Sequence, residues 1–152
     1  MNALELKIPP PIVAILVAAL MWLASRAPAL GFEVPARRVI AVSLAILGVA
    51  VAIAGVVSFR RAQTTVNPLK PESTSSLVIS GVYRVSRNPM YVGMLFVLLG
   101  WAVLLANVLA LAIVPTFILY MNRFQIGPEE TVLARRFGVE YETYRSRVRR
   151  WI

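Results

Sequence analysis

MYVGMLFVLLGWAVLLANVLALAIVPTFILYM, running from Met90 to Met121, carries no charged side chain over 32 residues. As one straight helix it would extend about 48 Å at 1.5 Å per residue, against a bilayer hydrocarbon core of about 30 Å. Asn107 lies near its middle and is polar. The run therefore predicts a tight helical hairpin with its turn at Ala106-Asn107, each arm somewhat short for a full crossing. Pro115 predicts a kink in the second arm. Its missing N–H frees a backbone carbonyl, and in hydrocarbon such a group needs protein or a cavity beside it.

On the N-terminal side, Val39 to Phe59 is uncharged and long enough to cross unaided. Gly48 and Gly55 lie on it and suit close helix packing. Ile12 to Ala24 is a shorter apolar run that follows Pro9-Pro10-Pro11. It has no clean small-residue cleavage site after it, so it reads as a retained first helix rather than a signal peptide. On the C-terminal side, Gly127 is placed to cap a new helix, with Pro128 at its first position and Glu129 and Glu130 in the first turn, where the helix dipole favours anions. Leu133, Phe137, Tyr141 and Tyr144 recur at spacings of three and four, an apolar stripe among arginines. Thr64 to Pro68 and Lys70 to Thr74 read as turns, and Leu77-Val78-Ile79 as a short stretch lying on the membrane or over a ligand.

The expected fold is an all-α integral membrane protein of about four transmembrane helices. The third and fourth form the hairpin, and an amphipathic interfacial helix follows. The chain reads as one domain over 1–152, with two helices in 1–59 and the loop, hairpin and final helix in 60–152. Thirteen of the 16 Lys and Arg residues fall on one side of this topology. The positive-inside rule makes that side cytoplasmic, with both termini there.

Composition narrows the chemistry. Hydrophobic residues make up 59% of the chain, and there is no cysteine and no histidine. Disulfides, thiolate or histidine metal sites and histidine-based triads are excluded, and no metal site is expected. All seven acidic residues are glutamates. The net charge of +9 belongs to residues flanking apolar runs, with no nucleic-acid module among them, so anionic headgroups and not nucleic acid explain it.

Two segments carry polar groups at the edge of an apolar run: Ser80 to Tyr91, containing Arg87-Asn88-Pro89-Met90-Tyr91, and Glu129-Glu130 leading to Arg136-Phe137-Gly138 and Tyr141. Each has a plain structural reading. Asn88 is placed as an N-cap with Pro89 at the first helical position, and the two glutamates stabilise a helix start beside Arg123, Arg135 or Arg136. The same geometry suits a ligand. A helix N-terminus at the membrane boundary receives a carboxylate. One glutamate can bind a cationic amine while its neighbour, about 100° around the helix, points elsewhere. That separation argues against a paired-carboxylate acid–base mechanism.

Ser75-Ser76-Leu77-Val78-Ile79-Ser80-Gly81-Val82-Tyr83, the Arg-Asn-Pro-Met-Tyr block and the Glu-Glu…Phe-Gly…Tyr…Tyr…Arg tail together resemble the isoprenylcysteine carboxyl methyltransferase family, itself similar to the membrane phospholipid methyltransferases. The resemblance covers Thr64 to Trp151 with order and spacing kept. It implies an integral-membrane enzyme using S-adenosylmethionine on a lipophilic acceptor. The donor would be held by Ser75, Ser76, Leu77, Val78, Tyr83, Asn88, Pro89, Met90, Tyr91 and Glu129, with Glu130 beside it. Arg87 or Arg123 would orient the acceptor head. The chain departs from the prenylcysteine enzymes in two places. It has Asn88-Pro89 where they have His-Pro, and Gln125 where they have an arginine that holds the substrate carboxylate. Two other readings stand beside this one: an NADPH-dependent membrane reductase of the sterol type, and a non-catalytic membrane scaffold.

Overall fold

A computed structural model describes residues 5–27, 30–62 and 75–152, and every regular element among them is helical. The turns expected over 64–68 and 70–74 lie outside the described residues. The α-helices are α1 (Pro10–Ala24), α2 (Arg37–Arg61), α3 (Pro89–Leu105), α4 (Val108–Tyr120) and α5 (Gly127–Arg147). A 3₁₀ turn, Gly81–Arg84, precedes α3, and a π-helical turn, Met121–Ile126, joins α4 to α5.

The uncharged run does fold as a hairpin. Ala106 adopts a left-handed conformation, φ 46° and ψ 50°, which ends α3. Asn107 then caps α4, its side-chain oxygen accepting from the N–H groups of Leu109 (3.0 Å) and Ala110 (3.4 Å). The polar residue in the middle of the run is thus spent on the turn. Its amide also donates to the Ala27 carbonyl at 3.0 Å, and the Phe32 N–H donates to the Ala106 carbonyl at 2.9 Å. The hairpin tip is therefore tied to the α1–α2 connection at one end of the bundle.

Helix α2 buries Ala41, Gly48 and Gly55, three small residues seven apart, and turns its remaining surface outward. The seam packs on α3. A Cβ added at Gly48 would strike the Gly93 carbonyl oxygen, and one at Gly93 would strike that of Gly48, so glycine is required on both sides of this contact. Helices α1, α3 and α4 pack on one another around Val13, Val17, Met21, Leu98, Val114 and Phe117. The Trp101 indole N–H donates to the Ala18 carbonyl at 3.1 Å, joining α3 to α1.

Val39, Ile46 and Ile53 on α2 are 67%, 65% and 56% exposed. Water does not tolerate such a continuous apolar face, whereas hydrocarbon does. By length and composition two helical stretches can cross a membrane, Arg37–Arg61 and Val108–Arg147, while α1 and α3 are shorter apolar helices of 15 and 17 residues.

Two sequence expectations are corrected here. The C-terminal helix does not begin at a Gly127 cap. Gly127 has helical angles, φ −57° and ψ −52°, and the helix runs from α4 through the π turn into α5 without stopping. The reason lies in Pro128. Proline cannot donate to the carbonyl four residues back, and in a regular helix its ring collides with it. The π turn widens the helix just before Pro128, and the carbonyl in question, on Phe124, accepts instead from the Leu6 N–H at 3.1 Å. The second correction concerns Pro115. It lies on the exposed face of α4 rather than against protein, where its apolar ring can face hydrocarbon.

Candidate active site

The site lies at the bundle end opposite the hairpin tip, where α2 finishes, α3 begins and α4 passes into α5. Pro89 occupies the first turn of α3 and is buried, which aims Tyr91 inward from the helix start. Tyr91 donates its hydroxyl to Oε1 of Glu129 at 2.6 Å. Gln125, one helical turn before Glu129 and 2% exposed, donates its side-chain amide to the same oxygen at 2.7 Å. Among the described residues no cation pairs with Glu129. Burial pushes its carboxyl up from 4.5 to about 7 and outweighs the two hydrogen bonds, which favour the charged form, while the adjacent Glu130 adds to the rise. Glu129 lies nine residues, about 13 Å of helix, beyond Tyr120 and the apolar part of α4.

Glu130 has the opposite surroundings. Arg150 grips it with two bonds, Nε to Oε1 at 3.1 Å and Nη2 to Oε2 at 2.6 Å, and Arg87 Nη2 lies 3.2 Å from Oε1. The Arg87 side chain is only 11% exposed, and among the described residues its Nε and Nη1 lie within hydrogen-bonding geometry of no acceptor. The two adjacent glutamates thus face different groups, as their 100° separation requires. Arg123, Arg135 and Arg136 were the sequence-local candidates to pair with them. Both partners of Glu130 instead come from distant parts of the chain.

Tyr83, in the 3₁₀ turn, is buried against Phe59 of α2 with ring centres 5.3 Å apart. Its carbonyl accepts from the Tyr144 hydroxyl at 2.8 Å. Burial, then the nearby Tyr144 and Glu129, hold the Tyr83 phenol well above its usual range. That leaves it neutral and unsuited to act as a base. Tyr144 reaches this position because α5 bends at Gly138, whose φ of 50° and ψ of −123° are open to glycine and strained for other residues. The bend turns Tyr141 and Tyr144 inward.

Tyr83, Arg87, Asn88, Pro89, Met90, Tyr91, Glu129 and Glu130 are therefore gathered at one end of the bundle. Ser75, Ser76, Leu77 and Val78 are at the same end, beside the close of α2. Ser76 donates its hydroxyl to the Ala62 carbonyl at 3.2 Å, and Val78 is buried. Arg123 stands apart. Its side chain is 62% exposed and lies 3.7 Å from Glu5. Asn88 occupies the N-cap position of α3 but makes no capping bond. Its amide donates to the Arg150 carbonyl at 2.8 Å instead. Sequence reasoning gives no site role to Arg150, places Tyr144 only in the apolar stripe of the final helix, and treats Gln125 only as a departure from an arginine. The spacing of four between Gln125 and Glu129 was the available signal.

Fold and site together define a helical membrane protein that collects its polar chemistry at one end of the bundle. The family model for phospholipid methyltransferase matches residues 36–140. The chain belongs to that family, which places it among the methyltransferases. It is similar to a probable protein-S-isoprenylcysteine O-methyltransferase of Oryza sativa subsp. indica, 35% identical over 108 residues, or 69% of this chain and 55% of the rice protein. It is also similar to the protein-S-isoprenylcysteine O-methyltransferase of Saccharomyces cerevisiae, 39% identical over 82 residues, or 52% of this chain and 33% of the yeast protein. An uncharacterised protein of Haemophilus influenzae is 49% identical over 63 residues, 41% of this chain and 100% of that protein. The chain spans about half the length of the rice relative and a third of the yeast one. No solved structure matches.

Proposed function

We propose that this protein is an integral-membrane, S-adenosylmethionine-dependent methyltransferase acting on a lipophilic acceptor, with four membrane crossings and its site at the cytoplasmic face. The observation that carries the reading is Glu129. It is a buried carboxylate held by two neutral donors, with no cation beside it among the described residues. An uncompensated buried acid is costly unless a positive ligand completes it. The donor's amino acid end carries an ammonium and its sulfur a positive charge, so the chemistry matches.

Glu129 would receive the cationic part of the donor, with Tyr91 and Gln125 fixing the carboxylate. Asn88 to Tyr91, Tyr83 and Ser75 to Val78 would form the remaining walls. Among the described residues two buried donors of Arg87 have no partner, which suits an acidic group on the acceptor or the donor. Arg123 is the second, more exposed candidate for an acidic acceptor head. When bound, S-adenosylmethionine supplies a methyl group already activated on sulfur; the acceptor's lone pair forms the new bond and a neutral thioether leaves. The protein's own part is to align the two reactants and exclude water. An ionised carboxylate acceptor needs no base, so the absence of histidine is no obstacle. An amine or phenol acceptor must lose a proton, and Tyr83, held neutral by burial, is unsuited to take it.

Titration of the purified protein in detergent with S-adenosylhomocysteine tests the assignment. Binding is expected, weakened by Glu129→Ala and by Tyr83→Ala. Unchanged affinity in both variants would remove the donor site. Saturable binding of NADPH in its place would favour a reductase, and binding of neither ligand a scaffold.

A further inference from the structure

The residues flanking the proposed donor site share one set of partners, in the short segment 148–152 that follows α5. The Arg149 carbonyl accepts from the Arg87 N–H at 3.0 Å. The Arg150 carbonyl accepts from the Asn88 amide at 2.8 Å and the Ser86 hydroxyl at 3.5 Å. The Arg150 guanidinium holds Glu130 in a two-bond fork. Trp151 donates its indole N–H to Asn122 Oδ1 at 3.0 Å and packs against the core. The segment is a strap, with one side bonded to the start of α3 and the other to the start of α5. These are the two elements that supply Asn88 to Tyr91 and Glu129. The direct bonds between those elements described above are Tyr91 to Glu129 and Arg87 to Glu130, so the strap adds a third connection from outside.

We infer that Arg150 is a positioning residue for the donor site, acting through Glu130. Resting on the donor site proposed above, this assigns the strap a working role rather than a merely structural one. The fork fixes direction as well as distance, because Nε meets one carboxylate oxygen and Nη2 the other. It holds the first turn of α5 and therefore sets where Glu129, the next residue back, presents its carboxylate to the Asn88–Tyr91 wall. Arg87 reaches Glu130 through one nitrogen only, so it cannot set that direction alone. Lysine at 150 would keep the charge and lose the fork.

The test uses the full chain in detergent, with S-adenosylhomocysteine affinity measured by calorimetry and ligand-free thermal midpoints measured alongside. Arg150→Gln is expected to weaken binding about tenfold, with Arg150→Lys falling between it and the wild type. The double variant Arg150→Gln/Glu130→Gln is expected to bind no worse than Glu130→Gln alone, since the guanidinium acts through that carboxylate. Removing 148–152 is expected to weaken binding at least as much as Arg150→Gln. Wild-type affinity in Arg150→Gln overturns the inference. So does a double variant whose loss is the product of the two single losses. A loss that follows the fall in the ligand-free midpoint, with Arg150→Lys no better than Arg150→Gln, also overturns it. If the wild type binds no donor analogue, the proposed function fails and takes this inference with it. Wild-type binding with unaltered variants removes the inference alone.

Discussion

Glu129→Gln should make the empty protein more stable at pH 8 while weakening its hold on the donor. The carboxyl is raised from 4.5 to about 7, with burial as the largest cause. Between those two pH values the folded chain keeps a proton that the unfolded chain has given up. Stability therefore falls as pH rises through that window, and the full penalty is present above about pH 7. At about 1.4 kcal/mol per pH unit the shift sets a ceiling of about 3 kcal/mol. The carboxylate is enclosed but the residue as a whole keeps partial exposure, and screening by nearby water brings the expected penalty to about 1–2 kcal/mol. Glutamine has nearly the same shape, carries no charge, and keeps an oxygen for the Tyr91 and Gln125 donors. The substitution should remove the penalty at pH 8 and gain little at pH 5, where the native side chain is already protonated.

Thermal unfolding in detergent at the two pH values reads this directly. A rise of about 2–6 °C at pH 8, and little change at pH 5, is the expected result. Calorimetry on the same samples should show that wild-type affinity for S-adenosylhomocysteine increases from pH 6 to pH 8, as Glu129 ionises. The variant should show weaker affinity without that dependence. If Glu129→Gln loses stability equally at both pH values and binds like the wild type, Glu129 is a structural hydrogen-bond acceptor and not a waiting anion.

Two further substitutions probe the frame around the site. Gly138→Ala should destabilise the protein by about 1–3 kcal/mol through backbone strain alone, because its φ is 50° and a Cβ there meets no atom within 4 Å; an unchanged thermal midpoint would show that the bend relaxes freely. Asn107→Ala should cost about 1 kcal/mol by removing the α4 cap, with no effect on donor affinity, since Asn107 lies at the far end of the bundle; a changed affinity would mean that the two ends are coupled.

What the sequence made legible follows the range of the forces involved. The hairpin was readable because a polar residue interrupts a long uncharged run, and such a residue must be satisfied locally. Asn107 does so through N–H groups two and three residues away. The α2–α3 seam was readable in part, since Gly48 and Gly55 stand seven apart and so share one face of the helix. At the α4–α5 junction the local sequence misleads for a physical reason. Gly127-Pro128 looks locally like a helix start, and its true resolution needs a partner for the Phe124 carbonyl that comes from Leu6, near the other end of the chain. The pairing of Glu130 was hidden in the same way. Arg135 and Arg136 are its near neighbours in sequence, but Arg87 and Arg150 reach it through the tertiary fold.

The two adjacent acids show how one backbone step can separate structure from binding. Successive residues on a helix project about 100° apart, so Glu129 and Glu130 sample different neighbourhoods despite identical chemistry. Glu130 meets two guanidinium groups and is neutralised by the protein itself. Glu129 meets a phenol and an amide, which can orient a carboxylate but cannot cancel its charge. Gln125 orients the carboxylate through its side-chain amide and adds no charge. Glu130 is paired by two guanidinium groups at the helix start, and its neighbour Glu129 meets no cation among the described residues, which is the arrangement the proposed positive ligand would complete.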